Sequence, residues 1–138
     1  MLYVICFINF MKIAISGNVY MLPDIMEVQE ELENKGYEVV PTFEFLDQLS
    51  ENDEAKKEKN RASFFEKLKT SDALLVLNKS LKDGKEDYIS GSSFLEMGFA
   101  HALGKKIYLL QGIPEVTYKD EIMAMSPIVL NGNLNDIK

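Results

Sequence analysis

The sequence predicts a single α/β domain in which a five-stranded parallel sheet is flanked by helices. Two observations predict this class. Short apolar runs alternate along the chain with longer amphipathic segments, as in repeated β-α-β units. The run from Ala73 to Asn78 is apolar up to its last residue, which is typical of a central parallel strand covered on both faces. The 138 residues, 46% of them hydrophobic, are enough for one such core.

The first β/α unit begins with a strand over Lys12–Ser16, which ends at Gly17. A helix follows from about Pro23, because proline suits a first helical turn and Gly36 suits a helix end. The spacing of its apolar residues predicts that one face is buried. The side chains expected on that face are Ile25, Met26, Val28 and Leu32.

The remaining elements repeat this alternation. A second strand is predicted over Tyr37–Pro41, and a charged helix over Ser50–Thr70 is expected to bury Phe64, Phe65 and Leu68. The later strands are expected over Ala73–Asn78, Lys106–Leu110 and Ile128–Asn131. The later helices are expected from Ser93 to Leu103 and near Asp120–Ala124.

Composition and chain ends limit the possible partners. The net charge of −7 argues against a general nucleic-acid binder, since binding a phosphate backbone requires clustered Lys and Arg. Cys6 is the only cysteine, which fits a reducing cytoplasm. The apolar start, residues 1–10, is too short for a membrane span and is either an extension of the first strand or an upstream start. We therefore expect a small-molecule partner, and neither nucleic acid nor membrane.

The strand ends indicate where a ligand would bind. In an open parallel sheet, ligands bind beyond the carboxyl ends of the strands, where the strand order reverses. Asp72 precedes its strand and is interpreted as structural. Asn18 and Asn78 can either bind a ligand or serve as turn residues, and Tyr20 can either stack on a base or pack. The full set of candidates for substrate binding is Ser16, Gly17, Asn18, Tyr20, Asn78, Gly91, Ser92, Ser93 and Asn131.

One acid, Glu96, lies inside the otherwise apolar and small-residue segment GSSFLEMGFAHALG. In one interpretation it completes a capping box with Ser93, each side chain accepting from the backbone N–H of the other residue. In the other, it faces the ligand from the first turn of a helix, where an ionised carboxylate can act as a nucleophile. Position alone leaves both interpretations open.

The segments SDALLVLN and FLEMGFAHALGKKIYLL, joined by a variable loop, resemble the nucleoside 2-deoxyribosyltransferase family. SGNVY after the first strand resembles the nucleoside-binding turn of that family, and the order of elements resembles its flavodoxin-like, Rossmann-like fold. The resemblance covers about Met11 to Asn131 and is specific around Glu96. It implies that residues 11–138 form a domain of this family.

The resemblance also implies an activity: cleavage or transfer of the N-glycosidic bond of (deoxy)nucleosides or nucleotides through a covalent glycosyl-Glu96 intermediate, without a cofactor or a metal. A base as acceptor would make the enzyme a transferase, and water would make it a hydrolase. Family members usually place an Asp shortly before the nucleophile; Asp87 is the candidate here, and its alternative is a solvated loop residue. The rival interpretation is a non-catalytic nucleotide-binding module in which Glu96 caps its helix or binds a sugar hydroxyl.

The C-terminal segment bears on assembly. It carries an apolar stretch before the polar residues Asn131, Gly132 and Asn133. Such a stretch fits a subunit contact beside a cleft, and packing on its own sheet is the alternative. Because related transferases complete each site with the neighbouring subunit, we expect a homodimer or higher even oligomer with Asn131 supplied in trans. The apolar residues concerned are Met123, Met125, Ile128, Val129 and Leu130.

Overall fold

The computed structural model describes residues 11–17, 21–40, 54–80 and 84–138 of the chain. Within them, strands and helices alternate as the sequence predicts. The strands are β1 (Lys12–Ser16), β2 (Glu38–Val39), β3 (Ala73–Val76), β4 (Lys106–Leu109) and β5 (Ile128–Val129). The helices are α1 (Leu22–Asn34), α2 (Glu54–Lys69), α3 (Gly91–Ala102) and α4 (Lys119–Ala124), followed by a 3₁₀ turn over Leu134–Asp136.

The five strands form one parallel sheet in the order β2-β1-β3-β4-β5. The chain therefore adds β2 on one side of β1, and then adds β3, β4 and β5 in turn on the other side of β1. The direction reverses between β1 and β3, where Ile13 pairs with Ala73 and Ser16 with Val76. The predicted α/β class with five parallel strands is confirmed, and the order is the flavodoxin-like one.

One face of the sheet packs against α1 and the C-terminal segment. Ile25, Val28 and Leu32 of α1 are buried there because their i, i+3, i+7 spacing places them on one side of the helix. The prediction for Met26 was wrong: its side chain is 48% exposed, since it is rotated about 100° from Ile25 around the helix axis. Leu134 is buried on the same face beyond β5.

The opposite face packs against α2, α3 and α4. Phe64 and Leu68 are buried as predicted, whereas Phe65 is only half-buried and contacts Phe99 of α3. Because α2 and α3 cover the same face and each follows a parallel strand, the two helices run side by side in the same direction. This face also carries Ala14 of β1, so even-numbered β1 residues point toward α3.

Asp72 lies at the amino end of the sheet, as the sequence predicts. Its Oδ2 accepts a hydrogen bond from the backbone N–H of Lys12 at 2.8 Å, and this bond joins the starts of β1 and β3. Among the helices in the described ranges, none has both the length and the apolar character needed to cross a membrane.

Candidate functional site

The candidate site lies where the strand order reverses, beyond the carboxyl ends of β1 and β3. Ser16 ends β1 and has the same orientation as Ala14, so its side chain points toward α3. The backbone C=O of Ser16 accepts from the N–H of Leu77 at 2.8 Å, which holds the two strand ends together. The sheet thereby delivers one hydroxyl to the side on which Glu96 lies.

Helix α3 begins two residues earlier than the sequence indicates. Ser90 is its N-cap, with an extended backbone, and its Oγ accepts from the backbone N–H of Ser93 at 3.2 Å. The capping-box interpretation of Ser93 and Glu96 is therefore wrong, because the cap is formed by Ser90 and leaves Glu96 in the second turn. The sequence left the cap ambiguous because Ser90–Ser93 is Ser-Gly-Ser-Ser, in which several serines can cap a helix.

Three serine hydroxyls connect the start of α3 to the end of β1. Ser16 Oγ lies 2.9 Å from Ser93 Oγ, and Ser93 Oγ lies 3.2 Å from Ser90 Oγ. Ser16 and Ser93 are 1% and 3% exposed, so both hydroxyls are paired inside the protein rather than with bulk water. These contacts fix α3 against β1.

The carboxyl group of Glu96 is the most strongly perturbed acid in the described part of the chain. Burial raises the pKa of Glu96 to about 8, while a hydrogen bond with Ser16 and the positive charge of Arg61 lower it in part. At neutral pH about one tenth of the molecules would carry an ionised Glu96. A desolvated acid with a shifted pKa beside a strand switch point is typical of a functional group.

Asn78 ends the apolar run of β3 and is completely buried. Its Nδ2 donates to the backbone C=O of Gly112 at 2.6 Å and, at 3.4 Å, to that of Asp87. Its Oδ1 accepts from the backbone N–H of Gln111 at 2.8 Å. The amide is thus engaged by two loops, and we interpret Asn78 as a positioning residue at the floor of the site.

Asp87 lies in a turn with a positive φ of 53°. Its backbone N–H donates to Ser80 Oγ at 3.2 Å, and its half-buried carboxylate lies against Gly112, where an added Cβ would be 3.0 Å from Oδ2. Asp87 is therefore on the β4 side of the sheet end, whereas Glu96 is on the β1 side. Both acids lie at the carboxyl edge, and the role of Asp87 as second acid stays a prediction.

The other predicted binding residues differ in their surroundings. Gly17 is a packing position, because an added Cβ would lie 3.3 Å from Ile25 Cδ1. Gly91 and Ser92 are exposed at the start of α3, and nothing lies within 4 Å of an added Cβ at Gly91. Asn131 is exposed in a turn with φ of 52°. Asn18 and Tyr20, like residues 1–10, lie outside the described residues.

Two residues of the site were not predicted from the sequence. Ser90 was missed because its neighbours are equally good caps. Arg61 lies in the charged helix predicted over Ser50–Thr70 and was given no role there, yet its charge acts on Glu96. The available signal was its spacing: Arg61 lies four residues before Phe65, which contacts α3.

The described residues hold no group of three or more His, Cys, Asp or Glu side chains that could bind a metal ion. The side chains described at the start of α3 and the end of β1 supply the carboxyl group of Glu96 and the hydroxyls of Ser16, Ser90 and Ser93. A 220 Å³ cavity at the same edge, lined in part by Met21, Leu77 and Gln111, lies on the α1 side of the sheet.

Comparisons with known proteins show a shared fold. No family model matches the sequence, and no curated protein matches it. Among solved structures, the chain is similar to the CMP N-glycosidase BcmB of Clostridium botulinum, with a TM-score of 0.52 and 21% sequence identity over 86% of this chain and 84% of that one. The match shows that this chain shares the fold of that structure.

Proposed function

We propose that this protein is an enzyme that breaks the N-glycosidic bond of a nucleoside or nucleotide, with Glu96 as the nucleophile. The observation that carries the proposal is the Glu96 carboxyl, which belongs to a half-buried side chain in the second turn of α3 and is hydrogen-bonded to Ser16 at the end of β1. Support also comes from the fold shared with an enzyme named for N-glycoside cleavage of CMP.

The proposed reaction has two steps. A carboxylate oxygen of Glu96 bonds to C1′ of the sugar on the face opposite the base, while the C1′–N bond breaks and its electron pair leaves with the base. A proton donor neutralises the departing base. Water then attacks C1′ of the glycosyl ester, loses its proton to a base, and releases the sugar and free Glu96 carboxylate. If a free nucleobase attacks C1′ in place of water, the same glycosyl ester gives a new nucleoside and the enzyme is a transferase.

The surroundings of Glu96 suit this chemistry in one respect and oppose it in another. A buried carboxylate is a stronger nucleophile and electrostatic partner for a developing sugar cation than a hydrated one. Burial also keeps most Glu96 protonated at neutral pH, and a protonated carboxyl cannot attack. The Ser16 hydroxyl and the charge of Arg61 are therefore part of the proposal, because both favour the ionised form.

We assign the role of second acid to Asp87, because its carboxylate lies at the β4 side of the same edge. The substrate spans the distance between the two acids, with its sugar beside Glu96. Asp87→Asn should then lower the rate most for substrates whose base is a poor leaving group, because those substrates need protonation most.

The test uses purified protein with CMP, deoxyCMP, cytidine and deoxyinosine, each with and without added adenine. Free base and new nucleoside are followed by chromatography, and rapid quenching with intact-mass measurement detects a glycosyl adduct. We expect Glu96→Ala to abolish turnover and adduct, whereas Glu30→Ala, which removes an exposed carboxylate of α1, retains both. Turnover that survives Glu96→Ala removes the mechanism.

The high pKa of Glu96 also favours a second candidate, a binding module in which the neutral carboxyl donates to a sugar hydroxyl. The same substrates distinguish it. Thermal stabilisation by a nucleotide without any product over long incubation would support the module, since stabilisation requires only affinity for the folded state.

A further inference from the structure

A groove lies between α2 and α3, the helix that carries Glu96. Its volume is about 440 Å³, and its lining includes Arg61 and Phe65 of α2 and Phe99 of α3. Arg61 is exposed to solvent, whereas the Glu96 carboxyl is desolvated by burial. The groove therefore exposes a cationic side chain on the helix next to α3.

The contact between α2 and α3 fixes the positions of Arg61 and Glu96 along the two helix axes. The rings of Phe65 and Phe99 meet edge to face, with centroids 4.8 Å apart and planes at 63°. Arg61 precedes Phe65 by four residues and Glu96 precedes Phe99 by three, which correspond to rises of about 6 Å and 4.5 Å along two helices of the same direction. Arg61 and Glu96 thus lie at similar heights, one turn above the same aromatic contact.

We propose that Arg61 is a positioning residue, which attracts the Glu96 carboxylate from the neighbouring helix and favours its ionised form for attack. This inference rests on the proposed function, because it assigns Arg61 a part in the same reaction.

The charged groups around Glu96 make Arg61 the specific candidate. From α2, Glu54, Lys57 and Glu58 line the same groove, but Arg61 is the charged group of this helix that offsets part of the rise in the pKa of Glu96. From β1 the neighbour is the uncharged hydroxyl of Ser16. On α3 itself, His101 is exposed and lies five residues away on another face of the helix. Lys57 provides a matched control, since it has the same charge one turn before Arg61.

The decisive measurement is the titration midpoint of Glu96, followed by carbon NMR of its side-chain carboxyl. We compare the wild type with Arg61→Gln, Arg61→Lys and Lys57→Gln. Arg61→Gln should raise the midpoint by about half a pH unit or more, since a nearby positive charge favours the carboxylate. Arg61→Lys should retain most of the wild-type value, and Lys57→Gln should leave it unchanged.

Salt gives an independent check. Because Arg61 is exposed, about 1 M salt should move the wild-type midpoint toward that of Arg61→Gln and leave Arg61→Gln nearly unmoved. In an active enzyme, the pH at which kcat/KM is half-maximal should shift by the same amount in Arg61→Gln. Equal midpoints for Arg61→Gln and Lys57→Gln would overturn the inference.

The two proposals fail in different ways. An active wild-type enzyme in which Arg61→Gln leaves both the Glu96 midpoint and the pH profile unchanged removes the role of Arg61 alone. A wild-type protein that turns over no substrate removes the proposed function, and the catalytic role of Arg61 with it, even when NMR still detects the coupling of the two charges.

Discussion

Asn78 Nδ2 donates to the backbone C=O of Gly112 at 2.6 Å, so the buried end of β3 is tied directly to the segment that follows β4. The Oδ1 of the same amide accepts from Gln111, and Nδ2 also reaches the C=O of Asp87. A single side chain therefore holds two loops at the carboxyl edge. Its predicted role in substrate binding would compete with these backbone partners.

Asn78→Ala should lower the free energy of unfolding by about 2 to 4 kcal/mol, because it leaves buried backbone groups without a partner. Urea unfolding measures the loss, and Asn34→Ala, at an exposed position, is the control and should change stability by less than about 0.5 kcal/mol. A raised KM with unchanged stability would instead support direct substrate contact by Asn78.

The sequence was sufficient for the fold because each element has a local pattern. The continuous apolar run of β3 and the alternation of strands with amphipathic segments predicted a parallel sheet, and the structure has it. The interior of the site was less predictable. The start of α3 depends on which of several adjacent serines turns its hydroxyl to the helix N-terminus, and the surroundings of Glu96 depend on Arg61, which is 35 residues away in the chain.

The stability of the protein should fall as pH rises from about 5 to above 8. Below pH 4.5 Glu96 is protonated in both the folded and the unfolded state; above it the unfolded chain releases this proton, while the folded protein keeps it up to about pH 8. Glu96→Gln should remove this dependence and be more stable than the wild type at pH 9, by at most about 5 kcal/mol.

Urea unfolding at pH 5, 7 and 9 tests that prediction. Glu30→Gln, which changes an exposed carboxylate of α1, should retain the slope of the wild type. If the stability of the wild type changes with pH no more than that of Glu96→Gln, Glu96 ionises at its ordinary pKa.

The pH dependence of kcat/KM distinguishes two roles of Glu96. A nucleophile must be ionised, so kcat/KM should rise with pH through about 8 in the free enzyme. Ser16→Ala should move this rise to higher pH, because the Ser16 hydroxyl lowers the pKa of Glu96. Ser92→Ala, which removes an exposed hydroxyl of the same region, should not move it. An activity that falls through pH 8 would indicate that Glu96 acts as a proton donor.

Assembly can be tested by mixing two inactive variants. If Asn131 completes the site of a neighbouring subunit, Glu96→Ala and Asn131→Gly should regain partial activity after subunit exchange, because some hybrid sites would have both native residues. Glycine is the appropriate replacement, since Asn131 has a φ of 52°. Light scattering that shows a monomer at micromolar concentration, or exchange without recovery, would contradict the prediction.

Exposed apolar side chains support testing assembly at this end of the protein. Met123 and Ile128 are 51% and 43% exposed, whereas Leu130 is buried in its own sheet. The predicted apolar stretch therefore divides between the two interpretations: part of it belongs to the core, and part remains available for contact.

The three serine hydroxyls between α3 and β1 can donate their hydrogen bonds in either direction along the row. Each hydroxyl has a single hydrogen, so Ser16 can donate either to Ser93 Oγ or to Glu96, but not fully to both. When Glu96 loses its proton, Ser16 must turn toward it, and Ser93 can then reverse and donate to Ser16. The direction of the hydrogen bonds from Ser16 to the Ser90 cap would thus depend on whether Glu96 is protonated. This change requires only rotation of hydroxyl hydrogens, and every heavy atom stays in place.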